Sequence, residues 1–384
     1  MEGGVQRHAA GATVRASTGA GVFVTLMTAL CGPAGAHGAT EAASTPPLAA
    51  ESTPVVSSVV ASAPMATLET SKEIRARHAG SFWRGTVGPG GDSPGWRVWL
   101  SVYDPPPAAQ EKGKDPVAET LTGEAYDDRP QGRTLWNIEG RNAPERRFVW
   151  RERADALDTD GQPIVREGGT LSGVRSADGA SATGTWSDGG RSQPFALKRA
   201  AQYREITGVS GQASITERYP VTGDAAVDAL VQSLRISRCD PYDTQCVVRI
   251  SAADLGDTVS LLRMVWAYSG GAHGNYSFTA GNWRRGAQGF QPITLADVLN
   301  PSPACLQALN TQLVDALKRE GAPEATRGAL QEKDLRSAAF PFTLQGDRIV
   351  LHYGPYEVGP YSAGAFHAAV RLDDLGTACQ RPTT

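Results

Sequence analysis

Between residues 72 and 200 the chain never sustains an apolar stripe at helical spacing. It offers seven short runs punctuated by Gly, Pro and Asp: Phe82 to Val87, Trp96 to Tyr103, Arg133 to Ile138, Arg146 to Arg151, Thr170 to Val174, Ala182 to Trp186 and Pro194 to Leu197. Alternation over four to eight residues is the period of a strand, and turn residues at such regular spacing leave an all-β domain, a small barrel or a sandwich, as the expected fold of this half. Within the second run Val98, Leu100 and Val102 alternate with Trp99 and Ser101, which predicts one buried face. Six of the eight tryptophans lie between Trp83 and Trp186. Such rings either fill a small barrel or line a sugar-stacking surface, and filling is the expected role.

The second half mixes periods. Asp224, Val227, Leu230, Val231 and Leu234 are spaced for a helix after Gly223, and Leu306, Leu309, Leu313, Val314 and Leu317 form a second apolar stripe. Ser302 followed by Pro303 supplies a cap and a first-turn residue for that second helix. Strands are expected at Thr258 to Tyr268, Tyr276 to Trp283, Phe340 to Leu344, Arg348 to Tyr353 and Phe366 to Leu372, with Gln345-Gly346-Asp347 as a hairpin turn. The expectation is an N-terminal all-β barrel or sandwich over 72–200, followed by an α+β domain over 203–384 with helices on a mainly antiparallel sheet.

Ahead of both lies a segment of another character. Arg7 and Arg15 precede an apolar run from Val22 to Leu30 and the small-residue exit Ala34-Gly35-Ala36, the pattern of a signal peptide over 1–36. The run is too short to span a bilayer, which needs about 20 residues. Cys31 offers a lipoprotein alternative, disfavoured by the bulky Leu30 before it. Residues 37–71, dominated by Ala, Ser, Thr, Pro and Val, are expected to form a disordered linker, and the mature chain to be periplasmic or secreted. An oxidising compartment favours disulfides among Cys239, Cys246, Cys305 and Cys379. Of the three possible pairings, Cys239 with Cys246 and Cys305 with Cys379 is preferred.

With a formal charge of −3 and basic residues scattered along the chain, nucleic acid and anionic bilayers are not expected partners. There is no G-x-S-x-G elbow, no H-E-x-x-H, no phosphate-cradling loop and no C-x-x-C pair, so no metal or cofactor is expected. Asp158-Thr159-Asp160-Gly161 lacks the further ligands of a calcium loop and is expected to be a turn.

The working surface is expected at two stiff loops. One is Gly354-Pro-Tyr-Glu-Val-Gly-Pro-Tyr-Ser-Ala-Gly364, where Pro355 and Pro360 fix φ and Tyr356, Glu357 and Tyr361 are displayed or locked in place. The other is the Gly-rich connection carrying His273, Asn275 and Tyr276. Glu357 is expected to accept backbone N–H groups and pin its loop, and His273 to brace its own. The catalytic alternative is a cell-wall hydrolase or deacetylase using His273 and Glu357.

Tyr268-Ser-Gly-Gly-Ala-His273-Gly-Asn-Tyr276, Ile293-Thr-Leu-Ala-Asp-Val-Leu299 and the 354–364 loop together resemble the RsiV-type C-terminal domain, over about residues 205–375. That family includes the extracellular sensor of a lysozyme-responsive anti-sigma factor and resembles a module adjoining some peptidoglycan deacetylases. The resemblance implies a binding module whose partner is a lysozyme-like envelope protein or a cell-wall glycan. This chain lacks the sensor's sigma-binding segment and spanning helix, and it lacks a deacetylase catalytic domain.

Overall fold

The computed structural model describes residues 75–88, 95–105, 120–129, 135–157, 163–236, 239–330 and 341–380. The expected signal peptide, Cys31, the linker and the Asp158 to Gly161 turn lie outside the described residues.

The protein is mostly β. Eight strands form a closed barrel: β1 (Arg75–Val87), β2 (Trp96–Tyr103), β3 (Leu121–Asp127), β4 (Leu135–Asn142), β5 (Arg147–Leu157), β6 (Pro163–Arg175), β7 (Ser181–Ser187) and β8 (Ser192–Ser210). Each pairs antiparallel with the next, and β1 pairs with β8 to shut the ring. Closure removes the exposed edges that an open sheet would leave. Inside, Trp83, Trp150 and Trp186 are at most 2% exposed and pack with Leu100, Phe148, Leu171 and Phe195. These three tryptophans therefore fill the barrel, as expected. Gly169 is required by this filling, since a Cβ there would lie 1.9 Å from Trp186 Nε1.

A charged cluster is enclosed with the rings. Arg129 pairs with Asp127 and, at 3.1 Å, with Glu152, while its guanidinium lies 5.1 to 5.8 Å from the rings of Trp96, Trp136 and Trp186. Trp136 donates to Asp127 and Trp186 to Glu152. The buried carboxylates are thus hydrogen-bonded from several sides, which keeps such a cluster tolerable away from water.

The sheet continues beyond the barrel. β8 runs through residues 200–203 without a break, and β9 (Ala213–Val221) pairs with its second half. β10 (Gln245–Leu255) lies parallel to β9, and β11 (Thr258–Tyr268), β12 (Asn275–Gly286) and β13 (Gly289–Pro292) follow antiparallel, giving thirteen strands in one sheet. This corrects the expected α+β sheet: strands β9 to β13 extend the barrel's own sheet. The physical reason is the 19-residue length of β8, which spans the barrel and still offers an edge beyond it.

Helix α1 (Ala225–Leu234) begins where Asp224 accepts the amides of Ala226 and Val227, and buries Val227, Val231 and Leu234 against the extension. Trp99 and Tyr103, on the outward face of β2, are also buried there, so β2 is buried on both faces rather than one.

The later region is a small sheet with few helices. β14 (Phe342–Gln345), β15 (Arg348–Tyr353) and β16 (Phe366–Arg371) pair antiparallel. Two single-turn helices, α2 (Leu295–Val298) and α4 (Pro323–Thr326), flank α3 (Pro303–Arg319), which starts at the Ser302 cap and lays Leu309, Leu313 and Leu317 on Leu351, Ala368 and Val370. A buried relay joins this sheet to the first: Ser260 Oγ donates to Asn282, and the amide of Leu344 donates to Ser260.

Cys305 and Cys379 form a disulfide, tying the start of α3 to the C-terminal tail as expected. The other expected pairing is corrected. Cys239 and Cys246 are buried free thiols joined by a hydrogen bond, and that bond raises the Cys239 thiol and lowers that of Cys246. The turn between them is closed instead by Asp240, which accepts from Tyr242, and by Asp243, which accepts from Asp240. Among the described residues no helix is long and apolar enough to cross a membrane.

Candidate functional site

The two stiff loops converge. Residues 269–274 join β11 to β12, whose first residues are Asn275 and Tyr276, and residues 354–365 join β15 to β16. The hydroxyl of Tyr361 donates to the carbonyl of Gly274 at 2.6 Å, across 87 positions of sequence. The Tyr361 ring stacks on His273 with centroids 3.6 Å apart and planes 16° apart. The Tyr276 ring lies parallel to that of Tyr361, at 6.1 Å and 9°. Tyr356 completes the group, its centroid 5.7 Å from that of Tyr361 and its hydroxyl 3.4 Å from His273 Nε2.

Local sequence explains each position. His273 Nδ1 lies 3.0 Å from the carbonyl of Gly274, so that nitrogen carries the proton and donates, leaving Nε2 to accept from Tyr356. The Gly274 carbonyl thereby accepts from both His273 and Tyr361. Gly274 itself is demanded by Trp266, because a Cβ there would meet the indole at 2.5 Å. Tyr356 holds a φ of 70°, a left-handed conformation that costs a tyrosine about 1 kcal/mol or more. Glu357 sustains it by accepting the amide N–H of Gly354, while the Glu357 N–H donates back to the Gly354 carbonyl. The result is a tight turn with Tyr356 at its tip, 65% exposed.

Four of the six residues singled out in the sequence, His273, Tyr276, Tyr356 and Tyr361, therefore meet in one aromatic group. Asn275 is exposed opposite Ala267 at the start of β12 and joins none of these ring contacts. Glu357 turns its carboxylate onto its own loop. Among the described residues no hydrogen bond joins Glu357 to His273, and no group of three or more His, Cys, Asp or Glu is placed to hold a metal.

Two further aromatics belong to the same face. Trp266 is the register partner of Tyr276, and Tyr268 lies parallel to Trp266 at 6.3 Å and 8°. Both are half-buried. Strict alternation along β11 was the signal that could have found them: Met264, Trp266 and Tyr268 share a face that the barrel core does not absorb. Burial and the neighbouring Tyr361 hold the Tyr276 phenol above its ordinary value.

Behind the loops, His352 and His367 face each other Nδ1 to Nδ1 at 2.7 Å, with Thr343 Oγ1 2.9 Å from His352 Nε2 and Phe278 across the strands. Burial pushes both imidazoles down, His367 to about 4. This pair is a packed joint between β14, β15, β16 and β12.

The fold and site thus define a mostly β protein with a filled barrel, a sheet extension and an aromatic face built from two preformed loops. Residues 296–373 match the family described as a protein of unknown function, DUF3298. The match begins in α2 and ends past β16, so it contains the 354–364 loop but not the 270–276 loop. Two solved structures are similar to part of the chain. A DUF3298 family protein from Pseudomonas aeruginosa PAO1 is 16% identical, over 47% of this chain and 94% of that one, with a TM-score of 0.35. A DUF3298 member from Bacteroides fragilis is 15% identical over the same shares, with a TM-score of 0.34. No curated protein matches the chain.

Proposed function

We propose that the chain is an exported cell-envelope binding protein that recognises a peptidoglycan-related ligand through loops 270–276 and 354–364. One observation carries the reading: His273, Tyr361 and Tyr276 stand near-parallel while Tyr356 projects beside them. Flat aromatic rings held by their own chain offer large contact area with little rotamer freedom left to lose, and the loops need no ordering on binding. Sugars present apolar ring faces that such a surface accommodates. A lysozyme-like enzyme is the second reading, favoured by the resemblance of the three motifs to the RsiV-type domain.

Sedimentation of the purified protein with insoluble cell-wall glycan, and titration with lysozyme, separate the two. Glycan binding that Tyr356→Ala weakens supports the first reading. Lysozyme binding alone supports the second, and neither partner binding rejects both. The hydrolase or deacetylase alternative has less support, since His273 serves its stack and Glu357 serves its turn. Fragments released from peptidoglycan by the protein would revive it.

A further inference from the structure

A second turn in the chain is built like the one that carries Tyr356. Asp240-Pro241-Tyr242-Asp243 precedes β10 and Gly354-Pro355-Tyr356-Glu357 follows β15, so proline, tyrosine and a carboxylate stand in the same order in both. Both close in the same way. The Asp243 carboxylate accepts the amide of Asp240 at 3.0 Å, and the Asp243 amide donates to the Asp240 carbonyl at 3.0 Å. Glu357 makes the same two contacts with Gly354, the second at 3.3 Å. In each turn proline fixes the residue ahead of the tyrosine and a carboxylate ties the ends together, so the ring is held out at the tip. Tyr242 is 79% exposed and Tyr356 65%, and among the described residues no other Phe, Trp or Tyr is exposed.

The Tyr242 turn sits at the same end of the sheet as the aromatic group. Thr244 donates its amide and its hydroxyl to the carbonyl of Tyr268, at 2.8 and 3.1 Å, where the connection carrying His273 and Gly274 begins. On the other side Gln212 Nε2 donates to the carbonyl of Pro241 at 2.9 Å, which straps the turn to the hairpin between β8 and β9. Register carries the line onward, since Gln245 opens β10 opposite Tyr268 and Ala267 faces Asn275 at the start of β12. From there the Tyr361 hydroxyl on Gly274 leads to the Tyr356 loop. The starts of β10 and β12 are two strand spacings apart, about 10 Å, so both displayed tyrosines belong to one rim.

The rim is chemically uniform. Residues 239–244, 269–274 and 354–365 contain no lysine and no arginine. Their acids are Asp240, Asp243 and Glu357, and each accepts an amide of its own turn, Asp240 that of Tyr242. What the rim turns outward is aromatic ring, hydroxyl and backbone polar groups, with no cation to receive an anion. Two rings displayed on a preformed rim suit an extended, uncharged chain that carries apolar faces at intervals.

We propose that Tyr242 is a second contact point, so that the rim holds a linear, uncharged saccharide strand across both tyrosines. One part of the strand lies on the group of His273, Tyr361 and Tyr356, and a part further along packs on Tyr242. The assignment rests on the glycan reading above and adds that the ligand is an extended strand rather than a terminal sugar.

Calorimetric titration of the full chain with a dimer and a hexamer of N-acetylglucosamine tests it. The dimer occupies the Tyr356 group alone, and the hexamer gains Tyr242 as a tethered second contact, so the hexamer binds about tenfold or more tighter. Tyr242→Ala brings the hexamer down toward the dimer and leaves the dimer unchanged, while Tyr242→Phe keeps the difference. The thermal midpoint of Tyr242→Ala stays in place, because the ring is exposed. A hexamer affinity indifferent to Tyr242→Ala, or the same loss for both oligomers, overturns the second contact. If binding of either oligomer still depends on Tyr356 in that case, the docking reading stands. If neither oligomer nor insoluble cell-wall glycan binds, both fall.

Discussion

Tyr361 lies on His273 with ring centroids 3.6 Å apart, and its hydroxyl reaches past that ring to the carbonyl of Gly274. One side chain thereby locks the loop after β11 to the loop after β15. Tyr356, at the tip of the same loop, contributes display rather than adhesion.

The two tyrosines should separate in stability. Tyr361→Ala removes a stack and a hydrogen bond and is expected to destabilise the fold by about 1–3 kcal/mol. Tyr356→Ala acts on an exposed ring and is expected to stay within about 0.5 kcal/mol, while Tyr356→Gly also relieves the left-handed φ. Thermal melts of the three variants check this. Equal large losses for both alanine variants would make Tyr356 a core residue.

Acid should weaken the joint at His352 and His367. Their rings share one proton across 2.7 Å, and a second proton would set N–H against N–H. Both are held below the ordinary imidazole value of about 6.5. A depressed histidine binds fewer protons folded than unfolded. Stability is therefore complete above about pH 6.5 and declines as pH falls toward the folded value of about 4 for His367, by an amount on the order of a few kcal/mol. Urea midpoints from pH 4 to 8 should show this slope, and His367→Gln should flatten it.

Arg129 should be more damaging to lose than its carboxylate partners together with it. Asp127 and Glu152 are each 2% exposed, so Arg129→Ala strands two buried acids and is expected to lose about 3–5 kcal/mol. Adding Asp127→Asn and Glu152→Gln should recover part of that loss. Equilibrium unfolding of the single and triple variants measures the difference.

The Cys305–Cys379 bridge closes a separation of 74 residues, for which restriction of the unfolded chain predicts about 4 kcal/mol. Cys305→Ser with Cys379→Ser should lower stability by that order. Peptide mapping without reductant should recover residues 305 and 379 in one linked fragment, with Cys239 and Cys246 as free thiols released only on unfolding.

Local patterning carried much of this architecture. Thr258 to Tyr268 and Arg348 to Tyr353 were legible as strands at their observed bounds, because alternation and flanking turns are properties of adjacent residues. Asp224 and Ser302 announced their helices for the same reason, since a cap reaches only two or three residues ahead. Strand β10 is readable in principle from the alternation of Cys246, Val248, Ile250 and Ala252. The stiffness of both loops, and the display of Tyr356 from a Pro-Gly frame, also lie in short-range chemistry.

Only the tertiary structure decided what those elements did together. Pairing of β1 with β8 closed the barrel, and the length of β8 carried its sheet into the second half. The meeting of His273 with Tyr361 joins residues far apart in the sequence, on two different sheets. A strand's period states which side chains share a face, but it contains no term for which distant strand will lie opposite. That choice follows from burying all the apolar faces at once, and it is a property of the whole chain.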